Sequence, residues 1–156
     1  MIKINLIAMG DIKENYLNQA IAEYSKRISR FADLKIVELK ENNPKSSSPK
    51  DILLALEKDA VVIEKHLKGY PICLSIDAQQ FTSEQFAEKI KNLSLKTSEI
   101  SFVIGASNGI SDAIKQKCKE KISFSKMTFP HQLMRVIFLE QLYRAFTINN
   151  NIAYHK

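Results

Sequence analysis

Residues 125–156 read SKMTFPHQLMRVIFLEQLYRAFTINNNIAYHK, and the rest of the chain is best understood from this segment. Pro130 fixes its own φ angle and disfavours helical backbone at Phe129, so we expect a turn there and a helix after it. Beyond the proline, apolar side chains recur with the period of an amphipathic helix. They are Leu133, Met134, Ile137, Phe138, Leu142 and Phe146. Periodicity alone indicates a core helix followed by a polar surface tail.

The start of this helix carries two polar candidates for a functional site. His131 and Arg135 are four residues apart, so both project near one edge of the helix, beside the preceding loop. A helix N-terminus next to a loop suits polar or anionic ligands, because its backbone N–H groups are free and its dipole is positive there.

The preceding residues alternate between strand and helix patterns. Apolar runs predict strands at residues 2–9, 34–39, 71–76, 100–104 and 122–124. Helical patterns lie between them, the first over residues 15–31. The helix-end signals are Ser48 with Pro49, Thr82 with Gln85, Ser111 and, as a C-cap, Gly69. The alternation predicts one α/β domain over residues 1–156, with a mainly parallel sheet and flanking helices.

Composition fits a basic globular protein and leaves its partner open. Lys and Arg number 23 against 17 Asp and Glu, a formal net charge of +6. This charge suits a polyanion such as RNA, but an ordinary basic protein would carry it equally well. No run approaches the roughly 18 apolar residues that cross a membrane. The N-terminal alternation indicates a strand rather than a signal peptide, so we expect a cytoplasmic protein without a membrane segment.

The cysteines and histidines predict no metal site. Cys73 and Cys118 are far apart in sequence and match no zinc or redox spacing. Cys73 lies in an apolar run typical of a small core residue, which fits a reducing compartment. The histidines at positions 66, 131 and 155 also lack metal-ligand spacing.

Three segments follow predicted strands and are therefore candidates for ligand binding. They are the strand end at Ile76-Asp77, the turn 105–109 and the loop 125–130. Ligands of parallel α/β sheets bind outside the carboxyl ends of the strands. The turn is neither a GxGxxG fingerprint nor a Walker motif, so by itself it identifies no ligand.

The long motif TFPHQLMRVIFLEQLYRAF, followed by a Tyr-His-basic ending, resembles the SPOUT-class methyltransferases that modify a pseudouridine of large-subunit ribosomal RNA. The opening MIKINLIAMG and the central FVIGASNG extend the resemblance over the whole chain. The resemblance implies a deep trefoil knot made by the C-terminal third, an exception to the usual rule against threading. It also implies S-adenosylmethionine-dependent methylation of N3 of a pseudouridine in 23S ribosomal RNA, on assembled ribosomes.

The resemblance also assigns roles to individual residues. The implied cofactor-binding residues are Ile76, Gly105, Ala106, Ser125, Lys126, Met127, Thr128, Phe129 and Pro130. The implied catalytic residues are His131, Arg135, Tyr154 and His155. We expect either histidine to assist loss of the N3 proton, and Arg135 to orient the base or stabilise its developing charge.

The chain departs from the family pattern in two places, the central turn and the C-terminal tail. Ala106 stands where the family usually has a second glycine, and we expect its methyl group to narrow the cofactor pocket. The chain ends Ile152-Ala153-Tyr154-His155-Lys156, whereas the family usually ends His-Pro-Tyr-His-Arg. Lysine there lacks the guanidinium that grips a phosphate with two hydrogen bonds.

The resemblance implies a homodimer that packs through the knot region, in which the tail completes the partner's site. The partners expected are therefore a second copy of the chain and 23S ribosomal RNA within the ribosome. The main alternative is a non-catalytic α/β module that binds nucleotide or RNA through the same loops. A cysteine hydrolase using Cys73 is the other, although no histidine or aspartate partner is marked by the sequence.

Overall fold

A five-stranded sheet in which every strand pairing is parallel forms the centre of the fold. The structure is a computed structural model that describes residues 1–156. The strands are β1 (Ile2–Met9), β2 (Ala32–Leu39), β3 (Tyr70–Gln80), β4 (Glu99–Ile104) and β5 (Glu120–Ser123). Their order across the sheet is β2-β1-β4-β3-β5. The predicted α/β class and parallel sheet are confirmed.

Helices cover both faces of this sheet. They are α1 (Asn15–Ile28), α2 (Pro49–Glu64), α3 (Ser83–Ser94), α4 (Asp112–Lys117) and α5 (His131–Asn149). α1 and α3 contact α5, and α2 contacts α4. Successive side chains of a strand point to opposite faces of the sheet, so β1 contributes to a core on each face. Ile4 and Leu6 pack in one core cluster with α5, whereas Ile7 and Met9 pack in a second cluster with α2. None of the five helices has both the length and the apolar character needed to cross a membrane.

The helix starts follow the local signals in the sequence. The Ser48 and Ser111 side chains accept hydrogen bonds from backbone N–H groups of the first helical turn, and Thr82 with Gln85 forms a complete capping box. The helix ends differ more. α1 ends at Ile28 rather than at residue 31, because the Phe31 N–H bonds to the Ile28 carbonyl oxygen in a turn that leads into β2.

Gly69 does not cap a helix, contrary to the prediction. α2 ends at Glu64, and Gly69 lies in the turn that enters β3 with φ +61°. A Cβ atom at Gly69 would lie 2.0 Å from the carbonyl oxygen of Glu99. The glycine is therefore required by the close approach of β4 as well as by its backbone angle.

β3 is longer than predicted and irregular at its end. It runs to Gln80, and its register against β5 shifts between Leu74 and Gln79. A bulge of this kind leaves backbone groups unpaired and redirects side chains, which is common beside binding sites. The first half of the strand is regular and buried, with Cys73 fully enclosed, as predicted.

α5 is a core helix over most of its length but not at its start. Phe138, Leu139 and Leu142 are fully buried between the sheet and the neighbouring helices. Leu133, predicted to face the core, is 38% exposed. The first turn lies at the edge of the domain, beside the cavity described next.

Candidate cofactor cavity and C-terminal cluster

A cavity of about 900 Å³ lies at the carboxyl ends of β3, β4 and β5. Its walls come from residues 74–77, the turn 104–110, Lys115 and parts of the segment 123–134. The three segments that the sequence marked as strand ends therefore meet at one place, as expected for a parallel sheet.

Most of the predicted cofactor residues line this cavity. Those present are Ile76, Gly105, Ala106, Ser125, Met127, Thr128, Phe129 and Pro130. Lys126 is exposed and does not line it. His131, from the catalytic candidates, lines it as well. The cavity thus combines apolar walls with backbone groups of the turn and the loop, a combination typical of small-molecule sites.

Hydrogen bonds and close backbone contacts fix the loop and the turn that border the cavity. The buried Ser123 hydroxyl lies 3.3 Å from the Ile76 carbonyl oxygen and 3.0 Å from that of Ser125, which ties the loop to β3. Ser125 in turn accepts a hydrogen bond from the backbone N–H of Met127. A Cβ atom at Gly105 would lie 2.5 Å from the carbonyl oxygen of Gly109, so only glycine allows this turn to close.

Three titratable side chains face the cavity: Asp77, Lys115 and His131. The Ser75 hydroxyl donates a hydrogen bond to Asp77. This bond, followed by backbone hydrogen bonding and the charges of Lys115 and Lys121, holds the pKa of Asp77 below its usual value. Asp77 is therefore a carboxylate at neutral pH. Lys115 was not recognised from the sequence, because nothing there indicates that α4 turns this residue towards the cavity.

Arg135 points away from the cavity. Its side chain is 1% exposed, and its guanidinium donates hydrogen bonds to the Glu38 carboxylate (2.6 Å) and to the carbonyl oxygens of Met9 (3.2 Å) and Gly10 (2.6 Å). The remaining Nε atom is buried without a partner. The guanidinium is thus committed to the protein, and its geometry does not support direct contact with a substrate base or phosphate.

Tyr154 and His155 follow the C-terminal end of α5, and the chain folds back there so that both side chains contact the helix. The Tyr154 hydroxyl donates to Glu140, which also pairs with Arg144 at 2.7 Å, the i,i+4 pair that the sequence suggested. Burial, followed by the contact with Glu140, raises the pKa of Tyr154 to about 12. The tail is therefore docked on α5, and neither Tyr154 nor His155 lines the cavity.

The hydrogen bonds of His155 define which ring nitrogen carries the proton in the neutral form. Nδ1 lies 3.1 Å from Arg144 Nη1, and Nε2 lies 2.8 Å from Glu84 Oε1. Because a guanidinium can only donate, Nδ1 is the acceptor, and Nε2 carries the hydrogen that points at Glu84. The hydrogen bond with His155 lowers the pKa of Glu84.

Comparison with known proteins agrees with this architecture. Residues 2–155 match the family model described as Predicted SPOUT methyltransferase. The chain belongs to the SPOUT methyltransferase family.

Two relatives are similar over 98% of this chain and 99% of their own lengths. A protein of Clostridium novyi, 49% identical, is described as ribosomal RNA large subunit methyltransferase H. A protein of Methanococcus maripaludis, 52% identical, is described as a candidate for the same enzyme. A structure from Legionella pneumophila, solved with the cofactor S-adenosylmethionine bound, shares the fold with a TM-score of 0.51 and 11% identity, over 92% of this chain and 66% of that chain.

Neither cysteine of this SPOUT methyltransferase lines the cavity. Cys73 is fully buried in β3, and the half-buried Cys118 packs against the same core cluster. The contact with Cys73, together with burial, raises the pKa of the Cys118 thiol. A cysteine hydrolase needs an accessible thiolate, so these positions do not support that alternative. No cluster of potential metal ligands occurs in the chain.

Proposed function

We propose that this SPOUT methyltransferase uses S-adenosylmethionine to methylate N3 of a pseudouridine in 23S ribosomal RNA. The observation that carries the proposal is the convergence of residues 74–77, 104–110 and 123–134 on one cavity. These segments contain the positions expected to hold the cofactor. The names of the two relatives support ribosomal RNA as the substrate class, and the Legionella pneumophila structure supports the cofactor.

The cavity fits S-adenosylmethionine in size and chemistry. About 900 Å³ is ample for a nucleoside with an amino-acid side chain. Ile104, Ile110, Phe129 and Met134 supply apolar walls for the adenine ring. The backbone of residues 125–130 supplies hydrogen-bonding groups whose positions do not depend on side-chain identity. When bound, the cofactor supplies a methyl group already activated on a sulfonium, so the protein has to align the acceptor, exclude water and accept a proton.

The proposed proton acceptors are His131, on the cavity wall, and His155, in the tail, whose Nδ1 can accept a proton once it releases Arg144. Histidine is the side chain that most often acts as a general acid or base in enzymes. Tyr154 offers a hydroxyl that remains protonated at neutral pH, since its pKa is raised to about 12. Arg135 serves as a positioning residue, because it joins the start of α5 to the end of β1 instead of touching the base.

We propose a homodimer that packs through the knot region, in which the tail of one subunit completes the cavity of the other. Neither Tyr154 nor His155 lines the cavity of its own chain, which supports a tail that acts in the cavity of a second copy. We propose that the C-terminal third forms the deep trefoil knot implied by the family. In this arrangement β5 flanks β3, and the loop 125–130 faces the turn 105–109 across the cavity.

The proposed substrate is the assembled ribosome, which would place the protein in the cytoplasm. The net charge of +6 favours association with a polyanion. Exposing a base for methylation costs a few kcal/mol, which ribosome contacts would offset.

Transfer of labelled methyl groups tests the proposal. Ribosomes that lack the modification and free ribosomal RNA are incubated with the protein and S-adenosylmethionine labelled in the methyl group. We expect label on ribosomes, at N3 of a single pseudouridine, and little on free RNA. Binding of cofactor without transfer to either substrate would reject this acceptor. RNA binding with neither cofactor binding nor transfer would support a non-catalytic module.

A further inference from the structure

The cavity contains one negative and one positive side chain that the cofactor assignments above do not use. Among its 21 lining residues, Asp77 is the only carboxylate and Lys115 the only side chain with an ammonium group. Lys115 is one of the groups that hold the pKa of Asp77 below its usual value, so the two charges lie within electrostatic reach of each other.

The fold places Asp77 at the mouth of the cavity. β3 loses its regular pairing with β5 between Leu74 and Gln79, and Asp77 lies within this irregular part. The side chain is exposed, and its contact with the Ser75 hydroxyl restricts its orientation. Lys115 is half-buried on α4, the helix that follows the cavity turn. Neither residue belongs to either core cluster, so both side chains are available to a ligand in the cavity.

An α-amino acid carries an ammonium and a carboxylate on one carbon atom. An aspartate and a lysine in the same wall complement these two groups, because the aspartate pairs with the ammonium and the lysine with the carboxylate. The four charges sum to zero. The mouth of the cavity suits this double ion pair. The two side chains and the two groups of the amino acid stay partly solvated there, so the cost of desolvating their four charges is low. The apolar walls formed by Ile104, Ile110 and Phe129 remain for the nucleoside.

We propose that Asp77 and Lys115 form the subsite for the amino-acid end of the cofactor. Asp77 accepts hydrogen bonds from the ammonium, and Lys115 donates to the carboxylate. This inference rests on the proposed use of S-adenosylmethionine and adds a polar subsite to that cavity.

Binding calorimetry with two probes tests the subsite. S-adenosylhomocysteine carries the amino-acid end, whereas 5′-methylthioadenosine keeps adenine, ribose and an uncharged sulfur but lacks that end. We expect Asp77→Asn and Lys115→Gln each to weaken binding of S-adenosylhomocysteine about tenfold, the loss of one charged hydrogen bond. Binding of 5′-methylthioadenosine should stay unchanged, which also shows that each variant is folded.

Lys121→Gln is the matched control. Lys121 also lowers the pKa of Asp77, but it does not line the cavity, so the affinities for both probes should remain at the wild-type values. Equal weakening of both probes by Asp77→Asn would overturn the inference and assign the carboxylate to the ribose. Unchanged binding of both probes in the two cavity variants would overturn it as well. Failure of the wild-type protein to bind either probe would reject the proposed cofactor itself.

Discussion

Arg135 and Glu38 form an ion pair of 2.6 Å that joins α5 to the end of β2. The arginine side chain is 1% exposed and the glutamate side chain 49% exposed, so the pair reaches from the core to the surface. The same guanidinium bridges to the carbonyl oxygens of Met9 and Gly10 at the end of β1. One buried side chain therefore holds two strand ends against the helix that borders the cavity.

Replacing Arg135 by methionine should destabilise the fold by about 2–3 kcal/mol. The change leaves buried carbonyl groups without a donor, whereas Glu38 can be solvated where it stands. Urea denaturation measures the effect. Arg27→Met is the control, because Arg27 forms an exposed pair with Glu23, and its removal should change the midpoint little. A catalytic role for Arg135 alone would leave stability intact and abolish methyl transfer.

The contacts of Arg135 also show where sequence reasoning ends. Its partners Glu38 and Met9 are 97 and 126 residues away along the chain, so no local pattern could reveal them. Helix starts such as Ser48 and Ser111 were predictable, because a cap and the N–H group it satisfies are three residues apart.

The cavity was predictable only in outline. A parallel sheet brings its strand ends together, which is why the turn 105–109 and the loop 125–130 could be grouped in advance. The irregular end of β3 and the direction of Lys115 depend on packing between elements, and they became visible only in the structure. Docking of the tail through Glu84 is likewise a long-range contact.

Gly105 and Gly109 should respond differently to alanine. A Cβ atom at Gly105 collides with the Gly109 carbonyl oxygen at 2.5 Å, so Gly105→Ala has to displace the turn that borders the cavity. A Cβ atom at Gly109 meets nothing within 4 Å, but its φ of +83° strains alanine by about 1 kcal/mol. We therefore expect Gly105→Ala to weaken binding of S-adenosylmethionine at least tenfold and Gly109→Ala to weaken it much less, measured by calorimetry. Equal losses would show that backbone strain dominates at both positions.

Glu120 should make stability depend on pH. Lys89 Nζ lies 2.5 Å from its carboxylate, and the Tyr70 hydroxyl donates to it at 2.8 Å. Burial by itself raises the pKa of Glu120, but these two hydrogen bonds outweigh it, and the pKa lies below its ordinary value. A carboxyl group whose pKa is lowered on folding stabilises the protein above its unfolded pKa. That stabilisation is lost as pH falls through the folded value.

Glu120→Gln should accordingly cost about 1 kcal/mol at neutral pH, after allowance for solvent screening, and the difference from wild type should shrink below about pH 4.5. Urea titrations of both proteins across this range measure it. Glu23→Gln removes an exposed carboxylate and should leave the two curves parallel. A difference that stayed constant down to the lowest pH would contradict the lowered pKa.

A variant with a defective tail and a variant with a defective cavity should restore activity to each other when they are mixed. His155→Ala should lower methyl transfer about a hundredfold, the usual loss for an acid–base group, while cofactor binding persists. Gly105→Ala should also lower methyl transfer, but by distorting the cavity and weakening cofactor binding. If the tail of one subunit serves the cavity of the other, mixing the two variants creates one complete site in each heterodimer. Random exchange makes half of the dimers heterodimers, so activity should recover to about a quarter of wild type. A tail that served its own cavity would give no recovery, because each variant would keep its single defect in the only site it can form.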